Sequence, residues 1–270
     1  MADDLVLVRG GGDLATGVVW RLHRTGWPVV VTELAVPCTI RRRVAVSTAV
    51  VEGAIEIEGM RAELATDPAR AVERARDGVV AVVVEPGLPA VDARVVVDAR
   101  MAKRNIDTRI DDAELVIGLG PGFTPGVDCH AAVETARGHH LGRVLWDRPP
   151  APDTGVPGEI GGRSAERVVR APTRGRVAWR TVIGERVAAG AVLGHVGDRA
   201  LVAPFDGVVR GLILDGIVVD AGAKIGDIDP RGDPRACFEI SDKALAIGGG
   251  VLEAVLTTAR PAVTPRPRGG

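Results

Sequence analysis

The 270-residue chain has no tyrosine, only three cysteines and three lysines, and 3% aromatic residues. Cys38, Cys129 and Cys237 are too few and too scattered for a disulfide framework, and none belongs to a CxxC pair that would hold zinc. Charge of one sign is also missing. With 34 basic against 35 acidic residues, the net charge of -1 leaves no electrostatic footprint for nucleic acid or an anionic membrane. No apolar run approaches the roughly 18 residues of a membrane span. The opening MADDLVLVRG is acidic where a secretory signal would be basic, so a soluble, cytoplasmic protein is expected. No Ser-His-Asp spacing, Walker loop or HExxH is present. The scarcity of lysine, at Lys103, Lys224 and Lys243 alone, reads as a compositional bias toward arginine.

What is present is 46% hydrophobic residues, enough for a sizeable core, arranged in two textures. Over residues 1–150, short apolar runs alternate with helical patterns, the texture of βα units in a Rossmann-like, mostly parallel sheet. Strands are expected at Leu5–Val8, Val29–Leu34, Val79–Val84, Arg94–Val97, Leu115–Ile117 and Arg143–Trp146. Helices are expected after the first glycines, where Leu14, Val18 and Leu22 share a face, and at Pro68–Arg76. Ala54 to Leu64 alternates weakly, as a hairpin would. Residues 151–166, rich in Pro and Gly, read as a linker.

Residues 167–232 contain an internal repeat. Ala171-Pro172 recurs at Ala203-Pro204, a shift of 32, and so do Gly175 at Gly207, Val177 at Val209, Gly184 at Gly216, Val187 at Val219, Gly190 at Gly222 and Gly194 at Gly226. A twofold repeat of short strands and glycine turns predicts two interlocked β-hairpin layers and resembles the barrel-sandwich of the biotinyl/lipoyl kind. The segment between the copies, Gly194 to Leu201, carries no lysine, so no covalent biotin or lipoate is expected. Residues 233–260 read as an interrupted helical segment, with Gly248-Gly249-Gly250 as a turn or a close contact, and residues 261–270 as a disordered tail.

Two glycine loops carry the chemical signal. Gly10-Gly11-Gly12-Asp13-Leu14-Ala15 fits G-x-G-x-x-A between a strand and a helix, where backbone N–H groups receive a pyrophosphate. Glu33, 21 residues after Gly12 at the end of the second strand, stands where a carboxylate meets a ribose hydroxyl. The motif leaves NAD, FAD and a molybdopterin dinucleotide open. The second loop, Gly118-Leu119-Gly120-Pro121-Gly122, joins a strand to a helix expected to begin near Asp128, and it is assigned to the opposite wall of the same site. His130 is the candidate acid or base, with Asp128 beside it either as a partner or as the cap of that turn. Cys129, in the same expected first turn, reads as an ordinary buried cysteine ahead of a thiolate that contacts a soft metal or selenium. Arg41-Arg42-Arg43 can hold phosphates or form a solvated face.

The segments VRGGGDLATGVVWRLHRTG, RRRVAVSTAVVEG, DARMAKRN, ELVIGLGPGFTPGVDCHAAVETARGHHLGRV and ISDKALAIGGGVLEAVL together resemble the YqeB family, accessory proteins of the selenium-dependent molybdenum hydroxylase system. The resemblance runs to about Leu256, and the N-terminal part is similar in kind to XdhC-type proteins that handle molybdenum cofactor. It implies a maturation protein whose partners are a molybdenum hydroxylase and its maturation machinery. It names a pathway, not a reaction. The competing readings are an NAD-dependent oxidoreductase with an added β module and a non-enzymatic scaffold that binds a partner through the repeat.

Overall fold

The computed structural model describes residues 4–155 and 158–259. The expected tail therefore lies outside the described residues, as does part of the expected linker.

The first unit is one nine-stranded sheet. Its strands are β1 (Val6–Arg9), β2 (Val29–Glu33), β3 (Ala54–Ile57), β4 (Met60–Ala65), β5 (Val80–Val84), β6 (Val95–Asp98), β7 (Leu115–Leu119), β8 (Ala131–Val133) and β9 (Val144–Leu145), in the order β3-β4-β5-β2-β1-β6-β7-β8-β9. Valine dominates β2, β5 and β6 because central strands are covered on both faces. The edge strands β3 and β9 run antiparallel to their neighbours, while the remaining pairs are parallel.

Four α-helices are found among the described residues: α1 (Asp13–Arg24), α2 (Ala49–Glu52), α3 (Pro68–Arg76) and α4 (Asp242–Ala259). Ala15, Val18, Val19 and Leu22 recur at the period that gives α1 one apolar face, and that face is buried on the sheet. Asp67 starts α3 by accepting a 2.9 Å bond from the Arg70 N–H, with Pro68 in the first turn.

α4 is continuous, so the expected interruption is absent. Its glycines are contact points. A Cβ at Gly248 would lie 2.3 Å from the carbonyl oxygen of Gly17 on α1, and one at Gly250 would lie 2.1 Å from that of Gly142. Two helix backbones touch directly here, and only glycine permits it.

The repeat unit contains β10 (Val168–Arg170), β11 (Gly175–Trp179), β12 (Arg186–Val187), β13 (Val192–Val196), β14 (Arg199–Val202), β15 (Gly207–Leu212), β16 (Val218–Val219) and β17 (Lys224–Asp229). They form two antiparallel sheets, β10-β17-β15-β12 and β14-β13-β11-β16. Shifting each strand of the first copy to its counterpart in the second turns one sheet order into the other. Hydrogen bonds obey the same exchange. Ala171 N–H donates to the Ala223 carbonyl and Ala203 N–H to that of Ala191, each at 2.9 Å. Each copy thus completes the sheet of its sister, because one copy alone cannot bury its apolar face.

The expected fold class is corrected on both counts. In place of a Rossmann-like unit of alternating strands and helices, the sheet is mixed and strand-dominated. No α-helix joins β5 to β6, β6 to β7 or β7 to β8, and the C-terminal α4 supplies cover beside α1. In place of a barrel-sandwich, the repeat forms two open four-stranded sheets with no closed barrel. The physical reason in the first unit is sequence content: the connections there are Gly-, Pro- and Asp-rich and carry no apolar face of helical period.

Polar contacts join the units. The guanidinium of Arg41, 6% exposed, donates to the carbonyls of Ala236 and Glu239 at 3.1 Å each. Arg42 donates to the Leu212 carbonyl at 2.8 Å, and Leu212 N–H to that of Ile40 at 2.9 Å. Of the arginine run, Arg41 and Arg42 are thus interface residues and only Arg43 is a solvated cation.

Candidate functional site

The carboxyl ends of β1, β2, β5 and β6 open into a cavity of about 760 Å³, closed on its far side by the repeat unit and the start of α4. Ligand sites in parallel sheets form at this end of the strands.

The first glycine loop forms one wall. Gly10 has φ +91°, a left-handed conformation, and a Cβ there would come within 3.1 Å of the Arg100 Cα. Gly11 packs on Ser47 and donates its N–H to Glu33 Oε2 at 2.8 Å. Gly12 precedes α1 with no side-chain cap, and its carbonyl accepts the first helical bond from Thr16 N–H at 2.9 Å. The N–H groups of Gly12, Asp13 and Leu14 have no partner among the described residues, and all three residues line the cavity. An open helix N-terminus of this kind favours an anion.

The segment after β6 forms the roof. Met101 (φ 56°) and Lys103 (φ 63°) occupy the left-handed region, which is strained for residues with a Cβ. A network buried at Arg9, Asp98 and Thr108 and open to solvent at Asp107 backs this segment. Arg9, 1% exposed at the end of β1, reaches Asp107 and Thr108 at 2.8 Å each. Arg100 bonds Asp98 at 2.5 Å and Asp107 at 2.7 Å, while the Thr108 hydroxyl donates to Asp98 at 2.7 Å.

The lining is cationic, with eight Lys or Arg side chains against five carboxylates. All three lysines of the chain are among the eight. Burial pushes the ammoniums of Lys224 and Lys243 below their ordinary range, and neighbouring arginines push the same way. Asp13 opposes both shifts.

Of the residues singled out in the sequence, Gly10, Gly12, Asp13 and Glu33 line the cavity. Gly11 stands behind it, its N–H spent on Glu33. The second loop is elsewhere. Gly118 packs under the Phe123 ring, Gly120 against Thr135 and Gly122 against the backbone of Arg104, so these glycines prop up the roof segment instead of forming the opposite wall.

No helix begins near Asp128. Its carboxylate accepts from Thr124 N–H at 2.8 Å in a tight loop, and the chain enters β8 directly. His130 Nδ1 accepts from Val116 N–H at 3.0 Å, at the start of β7 and thus toward the other end of the sheet. Neither residue lines the cavity. Cys129 is fully buried, and burial foremost, with Asp128 next to it, pushes its thiol up to about 12.

Sequence reasoning missed Arg167, Arg210, Ser241 and the lysines as cavity residues. One signal was visible: a residue type used only three times, read as composition.

No family model matches the chain. A curated relative does: YqeB of Escherichia coli (strain K12), named as an uncharacterized protein, is 46% identical over 255 residues, covering 93% of this chain and 47% of YqeB. That match agrees with the resemblance read from the sequence, and the chain spans about half the length of the relative it matches. Among solved structures, an aspartoacylase family protein from Mesorhizobium loti is 11% identical, covering 83% of this chain and 84% of that one, with TM-score 0.27. The ectoine utilization protein EutE (DoeB) from Ruegeria pomeroyi, product-bound, is 12% identical over 83% of this chain and 56% of that one, with TM-score 0.24. Likenesses this weak say nothing about what this chain does.

Proposed function

We propose that this chain binds a phosphate-bearing cofactor in the cavity between the mixed sheet and the repeat unit, as a cofactor-handling accessory protein of a molybdenum hydroxylase. The observation that supports the binding step is the uncapped N-terminus of α1, which presents unpartnered N–H groups to a cation-lined cavity. The link to molybdenum, to selenium and to XdhC-type proteins rests on the sequence resemblance alone.

The residues present fit a phosphate-bearing group of dinucleotide size. The volume lies inside the roughly 300–1,000 Å³ of small-molecule sites. A Cβ at Gly12 would meet nothing nearer than Thr39 Oγ1 at 3.9 Å, so the backbone there is open to close approach. Gly12, Asp13 and Leu14 would hold phosphate oxygens, with Arg100 and Lys103 on the same cavity lining. A molybdopterin dinucleotide would bring metal-binding dithiolene chemistry, and the chain's own part is to bind, orient and shield it. Glu33, holding the Gly11 N–H, repels a phosphate placed on that N–H and leaves the helix start as the anion position.

The oxidoreductase reading loses its acid or base, because His130 lies outside the cavity. Titrating NAD, FAD and a molybdopterin dinucleotide into the wild type and Gly12→Val tests the proposal. Position 12 has an ordinary extended conformation with room for a Cβ, so the variant is expected to fold, which its circular dichroism checks. Tighter binding of the molybdopterin species, weakened by about tenfold or more in Gly12→Val, is expected. Absence of binding by the wild type would overturn it.

A further inference from the structure

Arginine serves nearly every cationic position of this chain, since lysine supplies only three of 34 basic residues, yet all three lysines face one cavity. Lys224 comes from β17 of the repeat unit and Lys243 from the first turn of α4. Neither ammonium makes a hydrogen bond or ion pair with another described residue. Lys103, by contrast, is tied to Asp153 at 2.7 Å.

Behind Lys224 sits Arg210, its side chain only 9% exposed. Its Nε is buried without a hydrogen-bond partner, in an ion pair with Asp229 at 3.7 Å, and the rest of its guanidinium has only a long bond to Asp227 at 3.5 Å. Both are already committed, Asp227 to Arg167 and Asp229 to Arg231. The repeat unit therefore brings to the cavity wall an unsatisfied buried guanidinium N–H of Arg210 together with the unpaired ammonium of Lys224. A buried donor left without an acceptor is unfavourable, and an anion entering the cavity removes that penalty. Ammonium suits the position because it is a compact point charge with three donors that fits a tetrahedral oxyanion from any side.

We propose that the repeat unit is half of the ligand site: Lys224 and Arg210, with Lys243 of α4, take a phosphate-class dianion, so that a bound ligand bridges the two units. This inference rests on the proposed cofactor binding and assigns the repeat a role in the ligand site rather than in docking alone. It also names the class of group recognised, a phosphate carried on a nucleotide or free in solution.

The test uses the full chain. ADP and inorganic pyrophosphate are titrated into the wild type, Lys224→Met and Lys243→Met, in which the side-chain stem is kept and only the charge is lost. Each variant is expected to bind about tenfold more weakly or worse. ADP binding without pyrophosphate binding would identify a nucleotide-borne phosphate, and binding of both would identify the phosphate group itself as sufficient. In parallel, the lysines are methylated with formaldehyde and cyanoborohydride, each amine condensing with loss of water and the imine then being reduced. With three lysines in the chain, mass spectrometry of the peptides reads each site separately. Saturating ligand should slow labelling of Lys224 and Lys243 relative to a reference peptide in the same tube. Wild-type binding that both variants retain, without protection of either lysine, would overturn this inference and leave the helix N-terminus as the site. Failure of the wild type to bind any phosphate ligand would overturn the proposed function as well.

Discussion

The contact between α1 and α4 sets the position of Ser241 and Lys243 in the cavity, and it can be broken by one methyl group. In Gly248→Ala the new Cβ would lie 2.3 Å from the Gly17 carbonyl oxygen and 2.7 Å from its carbon. Ordinary carbon contacts lie near 3.5–4.0 Å, so the helices must separate by about 1 Å. The obstructing atoms are backbone and cannot rotate away as a side chain would. Overpacking of this kind destabilises by about 1–3 kcal/mol, and the backbone contact places this variant at the upper end. Alanine returns up to about 1 kcal/mol of helix propensity, leaving a net loss near 2 kcal/mol. For a chain of this size that lowers the melting temperature by about 4–8 °C. Gly249→Ala is the control. Its Cβ meets nothing within 4 Å, so the propensity gain stands alone and the melting temperature should rise by about 2–4 °C. Thermal unfolding of both variants, checked by urea titration, decides the matter. If Gly248→Ala is as stable as Gly249→Ala, direct backbone contact does not dock α4.

Cys38 is exposed and lines the cavity, whereas Cys129 and Cys237 are buried, so one thiol per native chain should react with Ellman's reagent and its modification should block ligand binding. The lowered pKa of Lys224 and Lys243 means that, below the ordinary lysine value of 10.5, the unfolded chain binds more protons than the folded one, so their contribution to stability rises with pH across that window. A bound anion opposes that lowering and needs both ammoniums charged, so the rise in melting temperature that ligand produces should shrink as pH approaches 10.5. Asp242 is held down to about 2 by its bond to Arg137; this stabilisation is complete above its ordinary value of 3.8 and is lost as pH falls toward 2. Asp242→Asn should remove that acid-dependent component from the unfolding curve. Asp227→Asn strands the buried guanidiniums of Arg167 and Arg210, and denaturant unfolding should show a loss of about 3–5 kcal/mol.

By itself the sequence determined the elements whose signals are local. β5, α3 with its Asp67 cap and Pro68, and the hairpin of β3 and β4 lie where hydrophobic period and turn residues put them. The 32-residue repeat was equally legible, because pairing between copies demands the same glycine and valine at the same place in each. So was the loop at Gly10 to Asp13, whose tight turn into a helix needs glycine at φ +91°. Tertiary structure decided the rest. The hairpin announced the antiparallel edge at β3, but the apolar runs could not say that β9 also runs antiparallel, since strand direction there depends on how irregular connections cross, and these carry no periodicity. The second glycine loop looked like a ligand loop, but its glycines answer to Phe123, Thr135 and Arg104, neighbours known only once the chain is folded. Asp128 and His130 looked catalytic for the same reason, and folding placed them beyond the cavity. The lysines are the converse case. Lys103, Lys224 and Lys243 are separated by long stretches of sequence and belong to no motif, so their convergence on one cavity exists only after the repeat unit and α4 dock against the sheet.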